Sequence, residues 1–387
     1  MIAGPMNASP VFSPEVSPSS RTVFRADESA TFANPVAPGA DPWVVRHGGY
    51  YYWCASENDL GVAIYRAERL SERADAEKVV VWHAPATGPY CAEVWAPELH
   101  RLDDRWYIYT AASNGKNETH RIIVLEAIGD DPLDGFHFKS ELYTGDDFAT
   151  KTNNRWAIDG TVLERHGERY LLWSGWADER DEQWLYIAKM ANPWTLAAAR
   201  VRVCANDDFL WERVDEAPTG RGLNEAPQVL ERGGRVFVAF SASGSWQTSY
   251  KLGLLELAPD GDPLDPQAWT KFPQPILQAT ERTWGVGHCS FTQSPDGTED
   301  WIAFHAKLET TPNWKRAIHV QRFHWDDEGR PVFGQPIAAG EALAVPAGEA
   351  VTPAFAETVA FGRAALAAAM GETPMVESVT VVEPAGR

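Results

Sequence analysis

The chain has 387 residues, 44% of them apolar and 17 of them Trp, which suits one or two globular domains and excludes a disordered chain. Its formal charge of −20 argues against a nucleic-acid backbone or an anionic membrane as partner, since both are bound through basic patches. The four cysteines (Cys54, Cys91, Cys204 and Cys289) form no C-x-x-C pair, and no stretch is long and apolar enough to span a membrane.

In chain order, residues 1–30 are rich in Ser and Pro and read as a loose segment. They carry no basic start and no continuous apolar run of the kind a secretion signal has, so the expected compartment is the cytoplasm. Residues 31–348 then repeat one pattern five times. The units open with "DPWVVRHGGYYYWCAS" at Asp41, "APELHRLDDRWYIYTAAS" at Ala96, "DGTVLERHGERYLLWSG" at Asp159, "EAPQVLERGGRVFVAFSAS" at Glu225 and "HCSFTQSPDGTEDWIAFHA" at His288. Each has a short apolar strand, a polar turn rich in Gly or Asp, and an aromatic strand ending in small residues, which is a hairpin signal. A third strand follows each time, as in "GVAIYRA" or "KLGLLEL". Steps of 55, 63, 66 and 63 residues hold one four-stranded antiparallel sheet plus loops. Sheets repeated in this way close radially, so the expected fold is all-β, a five-bladed β-propeller. A sandwich does not repeat a head residue at such a step, and a β-helix has much shorter coils. "PVFGQPIAAGEALAVP" reads as a closing strand and turn, and residues 349–387 as a tail with a short helix near Glu357–Met370 or no regular structure.

In a propeller the first strand of each unit lines the central channel, so the five heads converge at one mouth. Asp and Glu before a strand are ordinarily turn residues. Three acids at five matching places (Asp41, Asp159 and Glu225) are different, because like charges in one cavity raise one another's pKa and cost stability. Such a cluster points to a functional site. Two carboxyls across a sugar, one protonated and one ionised, are the minimum set for glycoside hydrolysis, and a third can hold up the pKa of the acid. Aromatics near the heads include Phe32, Trp43, Trp95, Trp156, Trp176, Trp284 and Trp314. Such rings offer faces for sugar C–H groups, although any one of them also suits the packing between blades. No G-x-S-x-G elbow, H-E-x-x-H, phosphate loop or dinucleotide fingerprint is present, so nucleophilic serine, zinc and nucleotide chemistry have no support.

"NPVAPGADPWV", "VWAPELH", "WAIDGTVL", "LNEAPQVL" and "GVGHCSF" together resemble the blade heads of glycoside hydrolase family 43, in order, from about Asn34 to Pro346. The resemblance implies an inverting, five-bladed glycosidase. It makes Asp41 the general base, Asp159 the pKa modulator and orienter, and Glu225 the general acid. His288 becomes the channel histidine that holds a water or a cation beneath the sugar, and Arg316 the arginine on the substrate or on the modulating Asp. Trp95, Phe32 and Trp176, with His288 and Arg316, are the expected substrate contacts. No cofactor is required, and a structural cation such as calcium in the central channel, held at His288 through water, is compatible. The family often has Gly where Ala226 stands.

The activity implied is release of a terminal pentose from plant cell-wall fragments, with an arabinose- or xylose-containing oligosaccharide as partner. An α-L-arabinofuranosidase on arabinan or arabinoxylan fragments comes first, because "GADPWV" resembles the arabinose-directed members and many xylosidases of the family carry a C-terminal β-sandwich. The alternatives are a β-xylosidase of the same family and a non-catalytic carbohydrate-binding propeller, which has no need of three converging acids.

Overall fold

A computed structural model describes residues 30–349. The expected loose N-terminal segment before Ala30 and the tail helix near Glu357–Met370 lie outside the described residues. Five antiparallel sheets follow one another along the chain as the blades of a five-bladed propeller, as the sequence repeat leads one to expect. Their first strands are Trp43–His47, Ala92–Leu102, Ala157–Arg165, Asn224–Arg232 and Trp284–Gln293. Each first strand contacts that of the next blade, and the fifth contacts the first, so the five form a closed ring around the central channel.

The aromatic second strands explain what holds the blades together. In Tyr50–Ser56, Tyr51 and Trp53 face the fifth blade, while Tyr52 and Cys54 face the second. In Arg105–Ser113, Trp106 and Ile108 face the first blade, and Tyr107 and Tyr109 face the third. A strand with both faces covered has no polar side, so its alternation separates two cores rather than core from solvent. The same division recurs around the ring and yields five inter-blade cores.

Blades one, two and four have four strands. Blades three and five depart from the expected count. The third strand of blade three pairs with two short strands, Thr195–Leu196 and Val201–Cys204. The third strand of blade five, Arg316–Trp325, pairs with Pro331–Val332 and with Ala37–Pro38 from the start of the propeller. This N-terminal strand closes the ring. The Asn34 side-chain amide imitates a strand beside it, giving its Nδ2 hydrogen to Val320 O (2.8 Å) and accepting Val320 N–H at Oδ1 (2.9 Å). Thr31–Ala33 pairs with Ala342–Ala344, the expected closing segment. Among the described residues no helix is long and apolar enough to cross a membrane.

Candidate active site

The first strands of blades two to five each slip register near the channel mouth, between Trp95 and Glu98, Ile158 and Thr161, Glu225 and Gln228, and Gly287 and Ser290. One residue in each slip has left-handed backbone: Ala96 (φ 43°), Asp159 (55°), Ala226 (50°) and His288 (46°). Asp41 (50°) holds the matching place before the first strand of blade one. Positive φ is uncommon outside glycine, and five matching occurrences make it a built feature of the mouth.

This corrects the alignment of the heads. The place that matches Asp41, Asp159 and His288 in blade four belongs to Ala226, and Glu225 lies one residue earlier, in regular register with Ser241. The preference of the resembling family for Gly at this position has a physical reason, since a left-handed residue without a Cβ is unstrained. The turn also presents the Ala226 N–H to blade three, where Asp159 Oδ2 accepts it at 2.9 Å. The offset therefore does not scatter the acids. Asp159 and Glu225 are buried, at 3% and 9% exposure, and each feels the charge of Asp41.

Their surroundings separate the three carboxyls. Burial opposes charge on Asp41, but the Arg316 guanidinium, then His288 and His305, outweigh it and hold the carboxyl far below the usual carboxylate range. Arg316 Nη1 lies 3.2 Å from Asp41 Oδ1, His305 Nδ1 3.2 Å and His288 Nδ1 3.3 Å from the same oxygen. Burial drives Asp159 well above its ordinary pKa, and the charges of Glu225 and Asp41 add to the rise. Burial pushes Glu225 up to about 7; the Tyr250 hydroxyl, donating to Oε1 at 2.6 Å, works against the rise and Asp41 adds to it. Three carboxyls in one cavity cannot all ionise at neutral pH. The charge settles on Asp41, which has the Arg316 guanidinium beside it, while Asp159 and Glu225 hold their protons more tightly than ordinary carboxyls. An ionised carboxylate and a protonated carboxylic acid facing one cavity can act as general base and general acid.

Of the expected substrate contacts, Arg316 and His288 join the cluster, and Arg316 meets Asp41 rather than Asp159. Trp95 is half-buried at the mouth and stacks on His120 (centroids 3.9 Å apart, 26° between planes). Trp176 is covered: it stacks on Trp156 at 4.7 Å and 12° in a small buried cluster with Ile158 behind Trp95. It backs the wall and offers a ligand no open ring face. Phe32 is not at the site. At 1% exposure it packs in the core between blades five and one, 6.2 Å from Trp301, because its strand pairs with the closing segment, Phe32 opposite Leu343. The neutral His288 imidazole, its pKa lowered by burial, can face a hydrated cation, although among the described residues no group of three or more His, Cys, Asp or Glu converges as a metal site.

Two further residues belong to the site and escaped the sequence reading. Tyr250 precedes the third strand of blade four, and His305 lies within the second strand of blade five. Their rings stack at 5.4 Å and 9°, which links Glu225, through the Tyr250 hydroxyl, to His305 and so to Asp41. Gly287 makes room for this pair, since a Cβ there would overlap the Tyr250 ring. Only "GVGH", with a glycine one residue before the head, signals it in the sequence.

The sequence profile of Glycosyl hydrolases family 43 matches residues 32–331. The chain is 34% identical to "Alpha-L-arabinofuranosidase 43" of Humicola insolens, over 78% of this chain and 62% of that protein. It is likewise 34% identical to "Extracellular exo-alpha-(1->5)-L-arabinofuranosidase" of Streptomyces avermitilis, over 81% of this chain and 66% of that one. The chain thus spans slightly less than two thirds of the length of both relatives. The solved structure of an alpha-L-arabinofuranosidase from Lactobacillus brevis superposes with a TM-score of 0.73 at 32% identity, covering 80% of this chain and 98% of that one.

Proposed function

The chain belongs to glycosyl hydrolases family 43, and from that premise we propose that it is an inverting α-L-arabinofuranosidase releasing terminal arabinose from arabinan or arabinoxylan oligosaccharides. The observation that carries the reading is the division among three converging carboxyls: Asp41 paired with Arg316 and so held ionised, Glu225 buried and its pKa pushed up to about 7. The terminal sugar sits between them. Asp41 takes a proton from water as the water oxygen bonds to the anomeric carbon, and Glu225 gives its proton to the glycosidic oxygen as that bond breaks. Asp159, whose Oδ2 accepts the Ala226 N–H next to Glu225, positions the acid. The Tyr250 hydroxyl, donating to Glu225 Oε1, helps to fix the orientation of the acid. Trp95 walls the sugar pocket.

The names of the relatives and of the Lactobacillus brevis structure favour arabinose over xylose. The word extracellular in the Streptomyces avermitilis name weighs against the cytoplasmic expectation. We also propose a hydrated cation, such as calcium, with one of its waters at His288; it would add positive charge beneath the sugar and moves no proton. Metal analysis of the purified protein, repeated after His288→Ala, tests that addition.

The main test is hydrolysis of an aryl α-L-arabinofuranoside against an aryl β-D-xylopyranoside, with the product anomer followed by NMR. Arabinose released with inversion is the expected result. Xylose alone would keep the site and replace the sugar, retention of configuration would overturn the assigned role of Asp41, and no turnover of either substrate or of arabinan fragments would favour a binding propeller.

A further inference from the structure

The loops joining the second and third strands of blades four and five meet beside the channel mouth. Each carries a tryptophan, Trp246 and Trp314, with ring centroids 5.5 Å apart and planes at 54°. Trp314 is 63% exposed, unusual for the largest apolar side chain. Its loop is nevertheless held in place. Lys307 Nζ donates to Asn313 O (2.7 Å) and Oδ1 (3.2 Å), and Asn313 N–H donates to Trp246 O (3.0 Å), tying the two loops together.

Both rings continue into the site. The Arg316 guanidinium that pairs with Asp41 lies 5.5 Å from the Trp314 centroid. The Arg221 guanidinium, within electrostatic reach of Glu225, lies 5.2 Å from the Trp246 centroid and pairs with Asp181. A cavity of about 300 Å³ opens alongside, lined by residues that include Gln247 and Pro312, the immediate neighbours of Trp246 and Asn313. An anchored pair of rings, Trp314 exposed and Trp246 half-buried beneath it, thus links the Arg221 and Arg316 guanidinium groups near the acid and the base.

We propose that Trp246 and Trp314 form the subsite for the sugar on the leaving-group side of the scissile bond, an inference that rests on the glycosidase reading above. Depth decides the side. The sugar being released must reach Asp159 and Glu225, which are almost fully buried, so whatever lies on an exposed rim is the part of the chain still outside the channel. The exposed Trp314 ring, backed by the half-buried Trp246, recognises the apolar C–H face of that sugar. The two flanking guanidinium groups present donors to its hydroxyl oxygens.

The test compares two substrates with the same reacting sugar. In α-1,5-linked arabinotriose the leaving group covers the rim, and in α-L-arabinofuranosyl fluoride it is a single atom that cannot reach it. For Trp314→Ala, the ratio of kcat/KM for the trisaccharide to that for the fluoride is expected to fall about tenfold, the scale of one aromatic contact. Trp246→Ala should lower the same ratio, and Trp314→Phe should restore most of it. Because Trp314 is exposed, its loss does not threaten the core, and an unchanged melting temperature checks this. An unchanged ratio in both alanine variants overturns the proposal, as does an equal loss on both substrates. If wild type cleaves neither substrate, the arabinofuranosidase reading itself has failed, which no behaviour of the variants can imitate.

Discussion

The channel mouth has two unlike sides. Blades one, four and five supply Asp41, Glu225, Tyr250, His288, His305 and Arg316, a connected set of charges and proton donors. Blades two and three supply Asp159 and otherwise rings: Trp95 on His120, Trp156 on Trp176, with Ala96 at the head of blade two. The backbone is the same on both sides, with a left-handed residue at the head of every blade. The difference teaches that the propeller fixes where heads point, while the side chain placed there decides whether a blade moves protons or shapes a pocket.

The comparison breaks most visibly at the acid. Glu225→Ala should lower kcat on arabinotriose by about 10³-fold, within the range for losing a general acid, and much less on arabinofuranosyl fluoride, whose leaving group needs no proton. Equal losses on the two substrates would remove Glu225 from the acid role. Asp41→Asn should cost about 10²–10⁴-fold on both, because both need an activated water. The pH profile separates the two groups without mutation. The acid works protonated and its pKa is pushed up to about 7, so kcat/KM on the trisaccharide should fall as pH rises through about 7. Asp41 stays ionised far below that, so no loss from the base is expected between pH 7 and 5. A trisaccharide profile still flat at pH 9 would contradict the assignment, and the fluoride should lack the alkaline fall.

On the aromatic side the effects should be smaller and of another kind. Trp95→Ala should raise KM about tenfold with kcat nearly kept, since a wall binds ground state and transition state alike. A fall in kcat with constant KM would instead place Trp95 among the groups that act in the transition state. Phe32→Ala should touch neither constant of the enzyme that folds. Its expected effect is a stability loss of about 3–5 kcal/mol in denaturant unfolding, the cost of an emptied core site. A changed KM there would return Phe32 to the pocket.

The repeat of head, turn and aromatic strand was enough to determine the five blades, because hairpin chemistry and alternation are local properties of the chain. The same repeat picked out Asp41, Asp159, Glu225 and His288 from a chain with 54 acidic residues, since matching places in a closed ring must converge. It could not determine their register. That Ala226 rather than Glu225 takes the left-handed place depends on a slip between two strands, which no composition reports. Nor could it sort the aromatics. Phe32, Trp95 and Trp176 look alike in sequence, yet one is core, one faces the mouth and one backs it, because the neighbouring blade decides which face of a ring is covered. Tyr250 and His305 lie outside the head pattern altogether: pairing within blade four sets Tyr250 against Glu225, and closure of the ring between blades five and one brings His305 against Asp41. Which carboxyl keeps its charge was likewise a tertiary decision: it follows from the placement of Arg316, a residue 275 positions from Asp41 along the chain, and an ion pair of that kind exists only once the ring has closed.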